Sequence, residues 1–257
     1  MDVLQLLRPD TLILYLLVAL RTSAAMAVGP LAAWPGVSFP ARVLLGLGVA
    51  MALAPSVPTA VPVAQLTLDP GIMVQELALG LFVGIGSTLL VSALQFVAGL
   101  LDFQAGFTFG TTIDPMAGRE TGPIEQFLNA LAAVLFFELN GHQLFILSLA
   151  DLFQVIPVAG TPNLAGPESI AHFFTAILVA ALAMALPIVS LLLLFDVALA
   201  MLSRAAPQFN LFAVGLPARV GAALVVLALI IPITATQLQY LYGHLPDVLS
   251  ILVRNRG

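Results

Sequence analysis

Five ionisable side chains fall inside stretches that are otherwise apolar: Arg21, Glu76, Glu138, Asp196 and Arg219. Asp102, Asp151 and Arg204 mark the ends of such stretches. A charge at the centre of a membrane-grade helix costs about 2.5–3.5 kcal/mol on insertion scales. Each group therefore needs an opposite charge, a wet cavity or a neighbouring subunit. Two chemistries fit this set. One is a proton or ion path. The other is polar contact that holds helices or subunits together, and this is the expectation carried forward.

The remaining chemistry-bearing residues do not assemble into a catalytic pattern. Glu138 and His142 are four apart and share a face if one helix runs through both. Gly141 weakens that helix, no HExxH accompanies the pair, and His172 and His244 lie in other segments. Ser148, Ser169, Ser190 and Ser203 lack a GxSxG setting. Gly106 and Gly110 are not followed by the Lys-Ser/Thr of a phosphate loop. With no cysteine there is neither a thiolate nucleophile nor a disulfide framework. The eight basic residues are all arginines and are dispersed, which excludes a nucleic-acid patch. The expectation is a protein that is not an enzyme, with no metal and no cofactor.

The elements that carry these residues are membrane-like. Of 257 residues, 61% are hydrophobic and only 8% charged, whereas soluble domains carry about 25% charged residues. Six apolar segments run roughly over 11–29, 41–54, 72–101, 124–150, 170–195 and 211–242. A spanning helix needs about 20 apolar residues, so the second segment is too short to cross alone. Arg8, an apolar run and Ala25-Met26-Ala27 mimic a cleavable leader, but Asp2, Asp10 and Arg21 argue for a retained helix. Arginines are balanced between the two sides, so the positive-inside rule gives a near tie. Pro187 and Pro232 are expected to kink or break the last two segments. Gly80 and Gly84 stand four apart, a spacing that lets another helix approach closely. One all-helical domain is expected, with a softer division near residues 151–169.

Between the third and fourth segments lies a polar interruption, DFQAGFTFGTTIDPMAGRETGPIE, from Asp102 to Glu125. Gly106, Gly110, Gly118 and Gly122 loosen it, and Phe107, Phe109 and Met116 stand among them. Such a segment is tolerated at membrane depth only where it is buried in protein or lines an aqueous path.

Several stretches in order resemble the FliR family of the flagellar type III export gate, whose injectisome counterparts are called SctT. The opening LRTSAAMAVGPLAAWPGVSFPARVLLGLGVAMALAP carries Arg21, Pro30, Pro40, Arg42 and Pro55. QELALGLFVGIG and QFVAGLLDFQAGFTFGTTIDP resemble the family's central glycine-bearing helix and the loop after it. NGHQLFILSLADLFQVIP is a flagellar-type match. ALPIVSLLLLFDVALAMLSRAAPQFNLFAVGLPARV brings Pro187, Asp196, Arg204, Pro207, Gln208, Asn210, Phe212, Gly215 and Pro217 in family order.

The resemblance implies an all-α fold of hydrophobic helical hairpins with kinked helices, built into a helical assembly with FliP-like and FliQ-like subunits. An FlhB-like subunit would associate with that core. Residues 1–165 would form the FliP-like part and 166–257 a FliQ-like hairpin. Much of the complex would be raised to the periplasmic side of the inner membrane, at the flagellar basal body. The loop would plug the closed channel, with Phe107, Phe109 and Met116 as apolar plug residues and Gly106 and Gly110 as tether. Asp114 and Pro115 match the family's DP pair. The other reading of these side chains is packing between helices. The cargo would be unfolded exported proteins. An injectisome gate is the alternative within the family. A proton-coupled secondary transporter, with inverted symmetry, is the alternative from another class.

Overall fold

The computed structural model describes residues 8–34, 36–107, 122–160, 167–206 and 211–243. Seven α-helices make up this part of the chain. They are α1 Pro9–Val28, α2 Phe39–Leu53, α3 Pro70–Ala105, α4 Pro123–Glu138, α5 Gly141–Val155, α6 Pro167–Ala205 and α7 Leu211–Gly243. Short 3-10 turns cover Pro30–Ala33, Ala54–Ser56 and Val63–Gln65. The described residues contain no strand beyond one isolated bridge, Thr59 to Val158. The fold is all-α, as the apolar segments and the resemblance imply. Four helices, two of them continued by their 3-10 turns, are long and apolar enough to cross a membrane. A fifth span exists if α4 and α5 form one broken crossing.

Helix starts follow simple rules. α1, α2, α4 and α6 all have proline in their first turn, where its missing N–H would have no intrahelical partner anyway. The α4–α5 break is set by Asn140, which sits in the left-handed region at φ 54° and ψ 30°. Its carbonyl then accepts from the N–H groups of Gln143 and Leu144 as α5 begins. Glu138 ends α4 and His142 belongs to α5, so the shared face that one continuous helix would give them does not form. The inner prolines do not break their helices. α6 runs through Pro187 and α7 through Pro217 and Pro232 without a break. Membrane-type helices tolerate proline when nearby side chains reoccupy freed backbone groups.

The chain divides into two compact units. The first combines residues 1–91, 140–175 and 241–257, and the second 92–139 and 176–240. The division falls within α3, between Val91 and Ser92.

In the first unit α1 is the central element. Its buried side chains include Leu14, Leu17 and Val18, which join a core with Ala50, Ala54, Leu66, Phe153 and Val158. Small residues set how close its neighbours come. Thr22 on α1 donates to the carbonyl of Gly46 on α2 at 3.1 Å. A methyl group on Gly80 of α3 would meet the Arg21 carbonyl and lie 2.9 Å from the Ala24 methyl. One on Gly84 would lie 2.6 Å from the Ala25 carbonyl oxygen. The Gly80–Gly84 spacing therefore has a partner surface, one face of α1. Thr88, a turn further on, donates to the Val28 carbonyl at 2.5 Å.

In the second unit the amphipathic pattern is plain. Ile124, Leu128, Ala132 and Phe136 form a buried i, i+4 stripe on α4. Leu94, Val97, Ala98, Leu101 and Ala105 form another on the second half of α3.

Replacing Gly80 with Ala should force α1 and α3 apart and destabilise the protein by about 1–3 kcal/mol, as overpacking does elsewhere. Gly48→Ala on α2 is the control. Nothing lies within 4 Å of its added methyl group, and the gain in helix propensity should stabilise by up to about 1 kcal/mol. Thermal unfolding in detergent reads both signs. A neutral Gly80→Ala would show that the helices do not rely on this contact.

Candidate functional site

Three polar clusters survive in the apolar frame. The first is in the first unit and has Arg21 at its centre, fully buried. Its Nε donates to Glu76 Oε2 at 2.5 Å, and its Nη1 donates to the Ile156 carbonyl at 2.8 Å. The guanidinium carbon stands 4.2 Å from the centroid of the Phe153 ring. The other Glu76 oxygen, Oε1, accepts from the Ala159 N–H at 3.0 Å. Nη2 has no hydrogen-bond partner among the described residues.

This cluster ties three parts of the chain together. Ala159 has φ 60°, a conformation L-residues rarely adopt, and its N–H is the one Glu76 holds. Beside it, Gln75 donates to the Gly160 carbonyl. The Val158 backbone exchanges hydrogen bonds with the segment at Pro58–Ala60, at 3.0 and 2.9 Å. Arg21 and Glu76 are thus engaged within the first unit. They pin the turn after α5, and through it the proline-rich connection between α2 and α3.

The second cluster is in the second unit, on α6 and α7. Arg219 donates through Nε and Nη2 to Asp196 Oδ1, at 2.9 and 2.6 Å. Both side chains are 32% exposed. The surrounding described faces are apolar and outward: Leu193, Leu194, Val197 and Met201 on α6, and Leu224 and Val225 on α7.

The third cluster is at the stems of the interrupting loop. Gly106 has φ 86° and follows the last residue of α3. Its N–H donates to the Phe103 carbonyl at 3.1 Å, and the Phe107 N–H donates to the Asp102 carbonyl at 3.0 Å. This double bond pattern with a left-handed glycine is the Schellman closure of a helix. The side chain of the same Asp102, fully buried, accepts from the N–H groups of Ile124 (3.1 Å) and Glu125 (2.6 Å) at the start of α4.

The structure pairs Arg21 with Glu76 and Asp196 with Arg219. Glu138 and Arg204 are exposed at the ends of α4 and α6. Gly80 and Gly84 lie buried against α1. Phe107 is 38% exposed just past the end of α3. Phe109, Gly110 and Met116 lie outside the described residues. Sequence reasoning missed the double use of Asp102, which it placed only as a segment end. A signal was present: the α4 start reads Gly122-Pro123, without the Ser, Thr, Asp or Asn that caps most helices. A cap had to come from elsewhere.

Fold and clusters together define an integral membrane protein of apolar helices, closed internally by polar clamps. The sequence model of bacterial export proteins, family 1, matches residues 12–245. The chain belongs to that family. It is 32% identical to the flagellar biosynthetic protein FliR of Pectobacterium carotovorum subsp. carotovorum over 218 residues, 81% of each chain. It is 29% identical to FliR of Escherichia coli K12 over 244 residues, 93% of this chain and 92% of that one. The surface presentation of antigens protein SpaR of Salmonella typhimurium is 31% identical over 189 residues, 73% of this chain and 69% of that one.

Removing one member of a buried ion pair leaves the other uncompensated, at a cost of about 3–5 kcal/mol. Arg21→Met and Glu76→Leu should therefore each destabilise severely. The double replacement Arg21→Met with Glu76→Leu should recover much of that loss. Thermal unfolding of the two single variants and the double gives the coupling energy. Strictly additive losses would mean that the pair does not act as a unit.

Proposed function

We propose that this chain is a structural and gating subunit of the flagellar type III protein-export channel, through which unfolded flagellar proteins cross the inner membrane. One observation carries the reading: the match to a flagellar FliR extends over nine-tenths of both chains. The match to SpaR supports an injectisome gate as second reading, but it covers a smaller share of its relative. The subunit works without catalysis of its own. It assembles with FliP-like and FliQ-like partners, with an FlhB-like subunit attached, and the assembly is raised in part to the periplasmic side. Residues 1–165 form the FliP-like part of this subunit and 166–257 its FliQ-like hairpin.

The loop after α3 acts as the plug. Bulky Phe107, Phe109 and Met116 on a tether loosened by Gly106 and Gly110 can fill a narrow lumen and be displaced from it. Arg21 and Glu76 act inside the subunit. Asp196, Arg219, Glu138 and Arg204 are the charged groups available to partners.

Co-expression of the tagged chain with FliP-like and FliQ-like subunits tests the assembly. All three should purify together, and a stable, monodisperse monomer that leaves both partners behind would overturn the reading. Within the assembled gate, Phe107→Ala with Phe109→Ala should make the closed channel leak ions. Unchanged conductance would remove the plug assignment.

A further inference from the structure

Asp102 ends one helix with its backbone and starts another with its side chain, and the residues between are the loop assigned above to gating. Pro123 has no N–H, so the first free donors of α4 are those of Ile124 and Glu125. Both are taken by the two oxygens of Asp102. The Asp102 carbonyl meanwhile accepts from Phe107, the residue on which the loop leaves α3. One buried residue therefore joins the two stems of the loop.

Gly122 supports the same arrangement from the other side. Its backbone, at φ −64° and ψ 162°, is one that any residue adopts, so conformation does not call for glycine here. Space does. A methyl group on Gly122 would fall on the Asp102 carboxyl group. The absent side chain leaves room for a cap supplied from another helix, 20 residues earlier in the chain. A cap of this kind also joins a carboxylate to the positive end of the helix dipole. With the side chain fully buried, water does not readily replace either bond.

We propose that Asp102 and Gly122 form a latch that holds the stems of this loop together and so sets how tightly the closed gate seals. Asp102 is a positioning residue: it need not touch cargo. The proposal rests on the plug reading above. When the latch opens, the α3 stem and the α4 stem separate, and the plug loses its fixed base. The bond pattern also says which substitutions should work. Asparagine caps helix starts about as well as aspartate, whereas alanine cannot.

The test uses the complete gate, co-expressed with its partner subunits, and compares Asp102→Ala, Asp102→Asn, Gly122→Ala and the double Phe107→Ala, Phe109→Ala variant. Ion conductance of the closed gate is read in planar bilayers, with co-purification as the measure of assembly. Asp102→Ala and Gly122→Ala should each raise leak about fivefold or more, the shift that loss of one helix cap produces in a two-state equilibrium. Asp102→Asn should stay near the unaltered gate. If Asp102→Ala does not assemble, Gly122→Ala carries the test, because it leaves every hydrogen-bonding group in place. Tight Asp102→Ala and Gly122→Ala gates beside a leaky double-phenylalanine variant overturn the latch and leave the plug standing. Equal leak in Asp102→Ala and Asp102→Asn overturns the capping account. No leak in any variant removes the plug, and the latch with it.

Discussion

A guanidinium buried away from the protein surface is the constraint around which the first unit is arranged. Arg21 lies in the middle of an apolar helix with none of its surface exposed. Desolvating such a group costs several kcal/mol, recovered only when charge and hydrogen bonds are both supplied at good geometry. Glu76 supplies the charge, the Ile156 carbonyl a second acceptor, and the Phe153 ring a face. These three come from α3, the turn after α5, and α5 itself. Satisfying one side chain thus brings together elements up to 135 residues apart in sequence. The cluster also explains why Ala159 can hold a left-handed conformation: its N–H meets a carboxylate oxygen that is already fixed by the arginine.

The same constraint acts on the backbone. Inside an apolar assembly, unpaired N–H and C=O groups are nearly as costly as charges. Helices satisfy their own interiors, so the difficulty concentrates at their ends and in the connections. Two solutions recur. After α5, Glu76, Gln75 and the Pro58–Ala60 backbone take up the groups of a turn. After α3, a left-handed glycine closes the helix and a borrowed carboxylate opens the next. In both places an acidic side chain on α3 accepts from backbone N–H groups of a distant segment. α3 thus supplies the acidic acceptor for both of these connections.

How much of this was legible in the sequence depends on range. The helices were readable because apolar runs of this length and so few charges leave little choice. Gly80 and Gly84 were readable as a close-approach site by their spacing alone, although not that α1 was the partner. The ionisable residues stood out by their cost, and opposite signs foretold pairing, but Arg21 with Glu76 is a contact across 55 residues that no local pattern specifies. The break between α4 and α5 was half visible. Gly141 drew attention, while Asn140, which takes the left-handed conformation, did the breaking. Pro187 and Pro232 stand inside continuous helices, because an apolar bundle tolerates a proline where other groups take up the freed backbone bonds. Asp102 was seen as a helix end and not as a cap, since its acceptors' partners lie beyond the loop.

The two ion pairs differ in a way that bears on assembly. Arg21 and Glu76 are sealed, and each finds its opposite charge within the first unit. Asp196 and Arg219 remain a third exposed on helices whose neighbouring faces are leucine, valine and methionine. Facing lipid, such a pair keeps a desolvation cost without the further hydrogen bonds that would offset it. Facing water, the apolar residues around it form a patch of the kind that marks an interaction site. Neither lipid nor water suits both parts of this surface. A protein neighbour with its own apolar face and a polar group at the level of the pair suits both. That is the surface expected of a subunit whose outer helices are covered by partners, and it agrees with a short α2 whose leucines and Met51 also point outward.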